Sequence, residues 1–356
     1  MTAVSPRTDE RDAWLEPGAH LVADGVYRIP LPLPGDGLKA VNVYAIEDGD
    51  RIALVDAGWH QENSWNALGS ALRSIGAEVG DVAHVLVTHI HHDHYGQAPA
   101  LRHASGAEVV LGEGERRSMR AIIDPTQRPQ IERDRRDSLA MHGAAALADE
   151  LHAALLVADA GDSQGFALWE EPDVYAPDAL RIELRSRSIQ AIATPGHTRG
   201  HISFFDEAAG VLFAGDHVLP HITPSIGVEI FADGMGLIDF IGSLALVRQL
   251  PAHRVLPAHG PAFDDLRGRV DELLSHHAAR LERCVAAVRD APHNAFEVAH
   301  VLPWTRRERR YEDLDLFNKM LAVRETVAHL ELLAVQGTLT RDTRDGIVVF
   351  GVATPG

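Results

Sequence analysis

The sequence predicts an α/β layered fold with its chemistry gathered on one edge, followed by a small, mainly helical domain. Three observations carry this expectation. Between Gly25 and Pro261 short apolar runs recur, and several stop at a ligand-type residue beside a glycine. Helical stripes alternate with these runs, as in Ser64 to Gly76, where Trp65, Leu68, Leu72 and Ile75 share a face. After His259 the texture changes to long helical stripes and a closing pair of β-runs. A β, loop, helix, β order is that of a layered fold, because a sheet face must be covered by another layer.

Met1 to Glu16 is polar and charged and lacks the apolar centre of a secretory signal, so residues 1–20 read as a loose lead-in. From Val26 to Asp56 the pattern is β: Val41, Val43 and Ala45 alternate with polar or aromatic neighbours, and Glu47 to Asp50 supplies turn chemistry. Ile52 to Val55 closes on Asp56-Ala57-Gly58, and Gly76 reads as the C-terminal cap of the first helix. Val85, Leu86 and Val87 form a short buried strand, then a helix carries Ala98 to Ala104 and a strand Val109 to Leu111. Ile189 to Ala193 leads into Thr194-Pro195-Gly196-His197. The run from Val211 ends in Gly215-Asp216, and Val255-Leu256 runs into Pro257-Ala258-His259-Gly260.

The central stretch is Val85 to Gln97, where His89, His91, Asp93 and His94 fall within six positions. Neutral imidazole and carboxylate are the ligands that suit zinc and similar divalent metals. Ligands two residues apart can face one way while the chain is extended. Asp93 and His94 are adjacent and point differently, so the stretch suits two metals better than one. Taken alone, it could also be a solvated histidine cluster, since the chain holds 21 histidines.

With the strand-end motifs that follow it, the chain resembles the metallo-β-lactamase superfamily, in its binuclear H-x-H-x-D-H branch. The resemblance covers about Gly25 to Pro261 and includes all five superfamily motifs in order. It implies a four-layer αββα sandwich. It also implies that His89, His91 and His197 hold a first metal, that Asp93, His94 and His259 hold a second, and that Asp216 bridges both. Asp93, Asp216 and Asp56 are then the carboxylates of the reaction centre, Asp56 orienting ligands from outside the ligand set. The implied cofactors are two divalent ions, zinc first, with iron or manganese as alternatives. His201 is either a support for the ligands or a packed histidine. Tyr95, His217 and His221 are candidates for substrate contact, and His92 points away. Tyr95-Gly96-Gln97 stands where the family often carries a glycine pair, so the substrate preference of its glutathione thioesterases does not transfer.

The segment between His94 and His197 is longer than alternating elements require, which marks a helical insert at about 113–178. Its arginines, Arg116, Arg117, Arg120, Arg128, Arg133, Arg135 and Arg136, are interleaved with acids. They read as a solvated helical surface, or else as a lid whose arginines receive an anionic part of the substrate. Ala140 to Ala158 reads as one helix and Gly161 to Gly165 as a loop.

These limits give a catalytic domain at 21–264 and a C-terminal domain at 265–356. In the latter, Leu266, Val270, Leu273, Leu274, Leu281, Val285 and Val288 trace a first helix. Asn294 with Glu297 caps a second. Leu314 to Leu333 mark a third, ended by Gly337, and Thr338 to Arg341 with Ile347 to Val352 flank a turn at Asp342 to Gly346. The order resembles the winged-helix-like tail of one group of lactamase-fold hydrolases. Arg306, Arg307, Arg309 and Arg310 are its basic cluster, read as a solvated helix start or subunit contact, with nucleic-acid contact as the sharper alternative. Cys284, the one cysteine, lies on the apolar face and reads as a packed core residue; no intrachain disulfide can form.

A net charge of −18 opposes nucleic acid and anionic membranes on average, and no apolar run is long enough for a membrane span. A cytoplasmic setting and a small-molecule partner fit these features, as does a homodimer. The expected function is a metal-dependent hydrolase in which a hydroxide shared by two metals attacks an ester, thioester or lactone carbonyl. The alternative is an endoribonuclease acting on single-stranded RNA, because tailed lactamase-fold proteins include RNA-cleaving members.

Overall fold

In the computed structural model, which describes residues 10–33, 37–159, 169–231, 234–305 and 307–353, the first seven strands make one sheet in sequence order. They are β1 (His20–Ala23), β2 (Val26–Pro32), β3 (Ala40–Asp48), β4 (Arg51–Val55), β5 (Val82–Leu86), β6 (Glu108–Gly112) and β7 (Val174–Ala176). The strands are antiparallel from β1 to β4 and parallel from β4 to β7. The change comes where helices begin to intervene, since parallel neighbours need a crossover. The crossovers carry α1 (Glu62–Ser74), then α2 (His92–Tyr95) with α3 (Ala98–Ser105), then α4 (Arg116–Ile123), α5 (Arg128–Met141) and α6 (Ala145–Asp159).

A second sheet runs in the order β12-β11-β10-β9-β8, from β8 (Arg181–Glu183), β9 (Ser188–Ala193), β10 (Ile202–Asp206), β11 (Val211–Gly215) and β12 (Arg254–Pro257). Only β12 joins in parallel, after α7 (Gly236–Val247) has crossed the outer face. The chain then forms α8 (Leu266–Ala287), α9 (Ala295–Val301), α10 (Leu316–Val335) and a hairpin of β13 (Leu339–Arg344) and β14 (Ile347–Val352).

Alternation along β3 shows why the layers stack. Val41, Val43 and Ala45 point one way, into a core shared with Leu68 and Leu72 of α1. Tyr44 and Ile46 point the other way, between the sheets, against Phe204, Phe213 and Leu256. Tyr44 meets Phe213 edge to face at 5.5 Å, and its hydroxyl donates to Pro257 O. Beyond the second sheet, Phe240 and Leu244 of α7 pack with Leu273 of α8 and with Ala328 and Leu332 of α10. Phe240, Leu244 and Leu273, fully buried, contribute about 1.5–3 kcal/mol each. The result is an αββα sandwich. Backbone bonds from Asp56 N to Leu86 O, Ile202 N to Thr88 O, and Ala258 N to Gly215 O tie its strand ends into one edge.

Several expectations need correction. Ala140 to Ala158 is not one helix: Gly143, at φ 88°, breaks it between α5 and α6. The hairpin turn is tighter than expected, because β13 continues to Arg344 and leaves Asp345 (φ 51°) and Gly346 (φ 81°) as the turn pair. The lead-in is partly ordered. Glu10–Leu15 is a 3-10 helix, with Trp14 O accepting from the Arg28 guanidinium and Asp12 pairing with Lys39 at 2.8 Å. Gly161 to Gly165 and Arg306 lie outside the described residues.

The insert is also more than a covering. Leu139 of α5 with Ala144, Leu147 and Ala148 joins the core of the C-terminal segment, beside Cys284, Val298, Val323, Leu330 and Phe350.

Candidate metal centre

The sandwich edge gathers all seven expected ligands. Three groups form there: His89, His91 and His197; His89, His94 and Asp216; and Asp93, His94 and His259. Within the first, His91 Nδ1 lies 2.9 Å from His89 Nε2 and 3.1 Å from His197 Nε2. Within the third, Asp93 Oδ2 lies 3.5 Å from His94 Nε2 and 3.4 Å from His259 Nε2. A tetrahedral ion with bonds of about 2.0–2.1 Å sets its ligand atoms about 3.3 Å apart. The spacing therefore fits.

Asp216 joins the two groups. Its Oδ2 is 3.5 Å from His197 Nε2, while its Oδ1 is 3.4 Å from His259 Nε2 and 3.7 Å from His94 Nε2. Three of these atoms, His94 Nε2, His259 Nε2 and Asp216 Oδ1, are buried without a hydrogen-bond partner. Leaving buried polar atoms unsatisfied is costly. A cation at their shared focus removes that cost, so the donor set fits divalent metals.

Each imidazole is oriented by a bond from its other nitrogen, which leaves the ligand nitrogen facing the focus. His94 Nδ1 meets Asp56 Oδ2 at 2.9 Å, and His259 Nδ1 meets Ala40 O at 2.8 Å. His197 Nδ1 meets Ser225 O at 2.7 Å, His91 Nε2 meets Val228 O at 3.3 Å, and His89 Nδ1 meets Thr88 Oγ1 at 3.1 Å. Asp56 sits at φ 62° and accepts from both the backbone N–H and the hydroxyl of Thr88. It thus lies behind the ligands, holding His94 and the start of the metal loop together.

His201 is also a support. Its Nδ1 bonds Thr194 Oγ1 at 2.8 Å and its Nε2 accepts the Asp216 backbone N–H at 3.1 Å.

Electrostatics follow from burial and neighbouring charge. Burial, reinforced by the surrounding imidazoles, holds His89 well below the usual histidine range. Burial also lowers His91 to about 3 and His197 to about 4. These three are neutral at pH 7, as metal ligands must be. For His94, burial opposes the charge, but Asp93, Asp56 and Asp216 outweigh it and raise the imidazole well above its ordinary value. The side of the centre that holds Asp93, His94 and His259 is therefore its acidic half.

Two of the three candidate substrate contacts are packed into the interior beside the metal edge. Tyr95 is buried, stacks on Trp169 with ring centroids 5.4 Å apart, and donates its hydroxyl to Glu170 O. His217 is buried behind the site, its ring against Phe240. His221 is exposed. His92 stacks on Trp59, off the metal side. The supports at Thr88, Ser225 and Val228 went unread in the sequence. Thr88 had a visible signal, being the residue between strand and first ligand; the other two act through backbone carbonyls and leave none.

An αββα sandwich with this donor set on its strand-end edge defines a metal-binding hydrolase scaffold. Residues 36–259 match the metallo-beta-lactamase superfamily, and residues 281–353 match the metallo-beta-lactamase-like C-terminal domain. The chain belongs to the metallo-beta-lactamase superfamily and is a hydrolase of that superfamily. It is similar to a metallo-beta-lactamase family protein of Thermus thermophilus, at 28% identity and a TM-score of 0.75, covering 92% of this chain and 99% of that one. It is 26% identical over 273 residues to the beta-lactamase-like protein 2 homolog of Caenorhabditis elegans, covering 76% of this chain and 72% of that protein. It is also 26% identical over 270 residues to the atrochrysone carboxyl ACP thioesterase of Aspergillus fumigatus, covering 75% of this chain and 49% of that protein. Among the described residues no helix is long and apolar enough to cross a membrane.

Proposed function

We propose that the protein holds two divalent ions, zinc by donor type, and hydrolyses an acyl ester, thioester or lactone. The observation that carries this is Asp216, whose two oxygens face different histidine groups. His89, His91 and His197 would hold one ion, Asp93, His94 and His259 the other, and Asp216 both. When bound, such ions lower the pKa of a water from 15.7 to about 7 and polarise a carbonyl oxygen. Asp56 and His201 keep His94 and Asp216 in place while charge shifts.

Two observations favour an acyl substrate over RNA. Four of the seven insert arginines are engaged locally: Arg120 with Glu171, Arg136 with Asp149, Arg116 over the Tyr175 ring and Arg117 over the Phe231 ring. They do not form the free basic face that phosphate binding needs. The thioesterase among the relatives supports thioesters in particular. The test is a panel of acyl thioesters, lactones and single-stranded RNA at low salt, with the metal-loaded protein and His89→Ala. Turnover of an acyl compound that His89→Ala abolishes is expected. RNA cleavage lost in His89→Ala, with no acyl turnover, would overturn the acyl assignment.

A further inference from the structure

The segment after His221 lies between the metal edge and the C-terminal helix α10, and it is bonded on both sides. On its inner side, Ser225 O accepts from His197 Nδ1 at 2.7 Å and Val228 O accepts from His91 Nε2 at 3.3 Å. Two of the three ligands of the three-histidine group are thus oriented by this one strap. On its outer side, Arg324 of α10 donates from Nη1 to Gly227 O at 2.9 Å and to Glu229 O at 3.3 Å. Those two carbonyls flank Val228, so the guanidinium grips the peptides on either side of the one that holds His91.

Ile226 anchors the strap in the core it shares with Phe240 of α7 and with Ala328 and Leu332 of α10. A cavity of about 190 Å³, lined by Leu139, Gly227, Glu229, Gly234, Val323 and Arg324, opens beside it where the strap meets α5 and α10. The Arg324 bonds span the rim of that cavity and fix the backbone on the polar side of Ile226. Gly227 stands at φ 87°, a conformation open to glycine because it lacks a Cβ, and its carbonyl accepts from the arginine. Arg324 itself is costly to place: burial lowers its guanidinium to about 10, Arg135 adds repulsion, and its Nε is buried without a partner.

We propose that Arg324 is a positioning residue for the metal centre: through its guanidinium the C-terminal domain sets the register of the strap carbonyls that aim His91 and His197. The inference rests on the ligand reading given under Proposed function. It assigns the C-terminal domain a part in metal affinity, and it predicts that the effect falls on one metal and not both. The Asp93, His94 and His259 group takes its outer bonds from Asp56 and Ala40, neither of which touches the strap.

The test uses the full-length protein loaded with Co(II), whose visible spectrum reports each site, and follows metal loss to a chelator. Arg324→Ala should release the three-histidine-site metal about 10–100-fold more readily, the usual size for loss of an outer partner. The other metal should be retained at the wild-type rate. Arg324→Lys, which keeps a charged donor on a shorter stem, should fall between. Should Arg324→Ala fail to fold, Arg324→Lys and Arg324→Gln carry the same comparison. His89→Ala runs in parallel. If His89→Ala keeps both metals, the ligand reading itself is wrong. If His89→Ala loses one metal while the Arg324 variants match wild type at both sites, or lose both metals equally, the strap inference is overturned and the ligand reading stands.

Discussion

Asp56 and His94 meet at 2.9 Å, carboxylate to Nδ1, at the floor of the metal edge. Both side chains are buried, and the bond leaves His94 Nε2 as the atom that faces Asp93, His259 and Asp216. One carboxylate therefore fixes a ring without occupying a ligand position.

That division of labour separates two variants. Asp56→Ala should weaken metal binding about 10–100-fold, chiefly at the site shared by Asp93, His94 and His259. Asp216→Ala should lower occupancy at both sites, because each of its oxygens faces a different group. Elemental analysis after dialysis against a graded chelator series distinguishes them. A tightly bound pair of metals in Asp216→Ala would contradict the bridging role.

His277 and His329 form a buried pair away from the metals, with His277 Nδ1 3.1 Å from His329 Nε2 and His329 Nδ1 bonded to Glu325 O. Phe240 of α7, His276 and Arg280 of α8 and Glu325 of α10 surround them. Burial, with the other ring beside it, lowers His277 to about 2; burial likewise lowers His329 to about 3. The unfolded chain takes up these protons near pH 6.5 while the folded one does not. Stability should therefore fall as pH drops from about 6.5 toward 3, and be indifferent to these groups above pH 7. Urea midpoints across pH 4 to 8 measure it. His277→Leu should flatten the acid slope, and an unchanged slope would place its origin elsewhere.

Cys284 is buried on α8, and burial pushes its thiol up to about 12. A thiol needs its thiolate to react. A chromogenic disulfide reagent at pH 8 should leave the native protein unlabelled and titrate one thiol per chain in urea. Prompt native labelling would show that the helix opens far more often than its packing implies.

Gly196 precedes the ligand His197 at φ 137°, and a Cβ there would lie 2.5 Å from the Phe240 Cα. The contact is backbone and cannot swing away. Gly196→Ala should cost about 3 kcal/mol or more and weaken the three-histidine site, because α7 must retreat. Denaturant unfolding and metal titration read both effects. A variant as stable as wild type would show that α7 yields freely.

Much of this site could be read from the chain because its ligands lie within short stretches or at strand ends, where an apolar run stopping at a His or Asp leaves a visible edge. The layered fold followed from the same runs and from the stripe of Trp65, Leu68 and Leu72. Orientation within those stretches was harder to read. On α2, successive side chains turn by about 100°, so Tyr95 points into the Trp169 stack although its neighbour His94 faces the metals. His217 likewise follows Asp216 in sequence and turns toward Phe240. The strap was invisible for a different reason. Its carbonyls carry no residue-type signal, and Arg324 reaches them from 95 or more positions away. The break at Gly143 was hidden by helix-favouring residues on both sides.

The insert helices lend Leu139, Leu147 and Ala148 to a core whose other members include Cys284, Val323 and Phe350. A ribosome adds about 5–20 residues per second, so these side chains would wait on the order of 10–40 s for Phe350 to be made. During that interval the nascent catalytic half carries an apolar face with nothing to bury it. The protein should therefore reach its native state only once Phe350 has emerged, and its yield in the cell should depend on chaperones that shield that face until then.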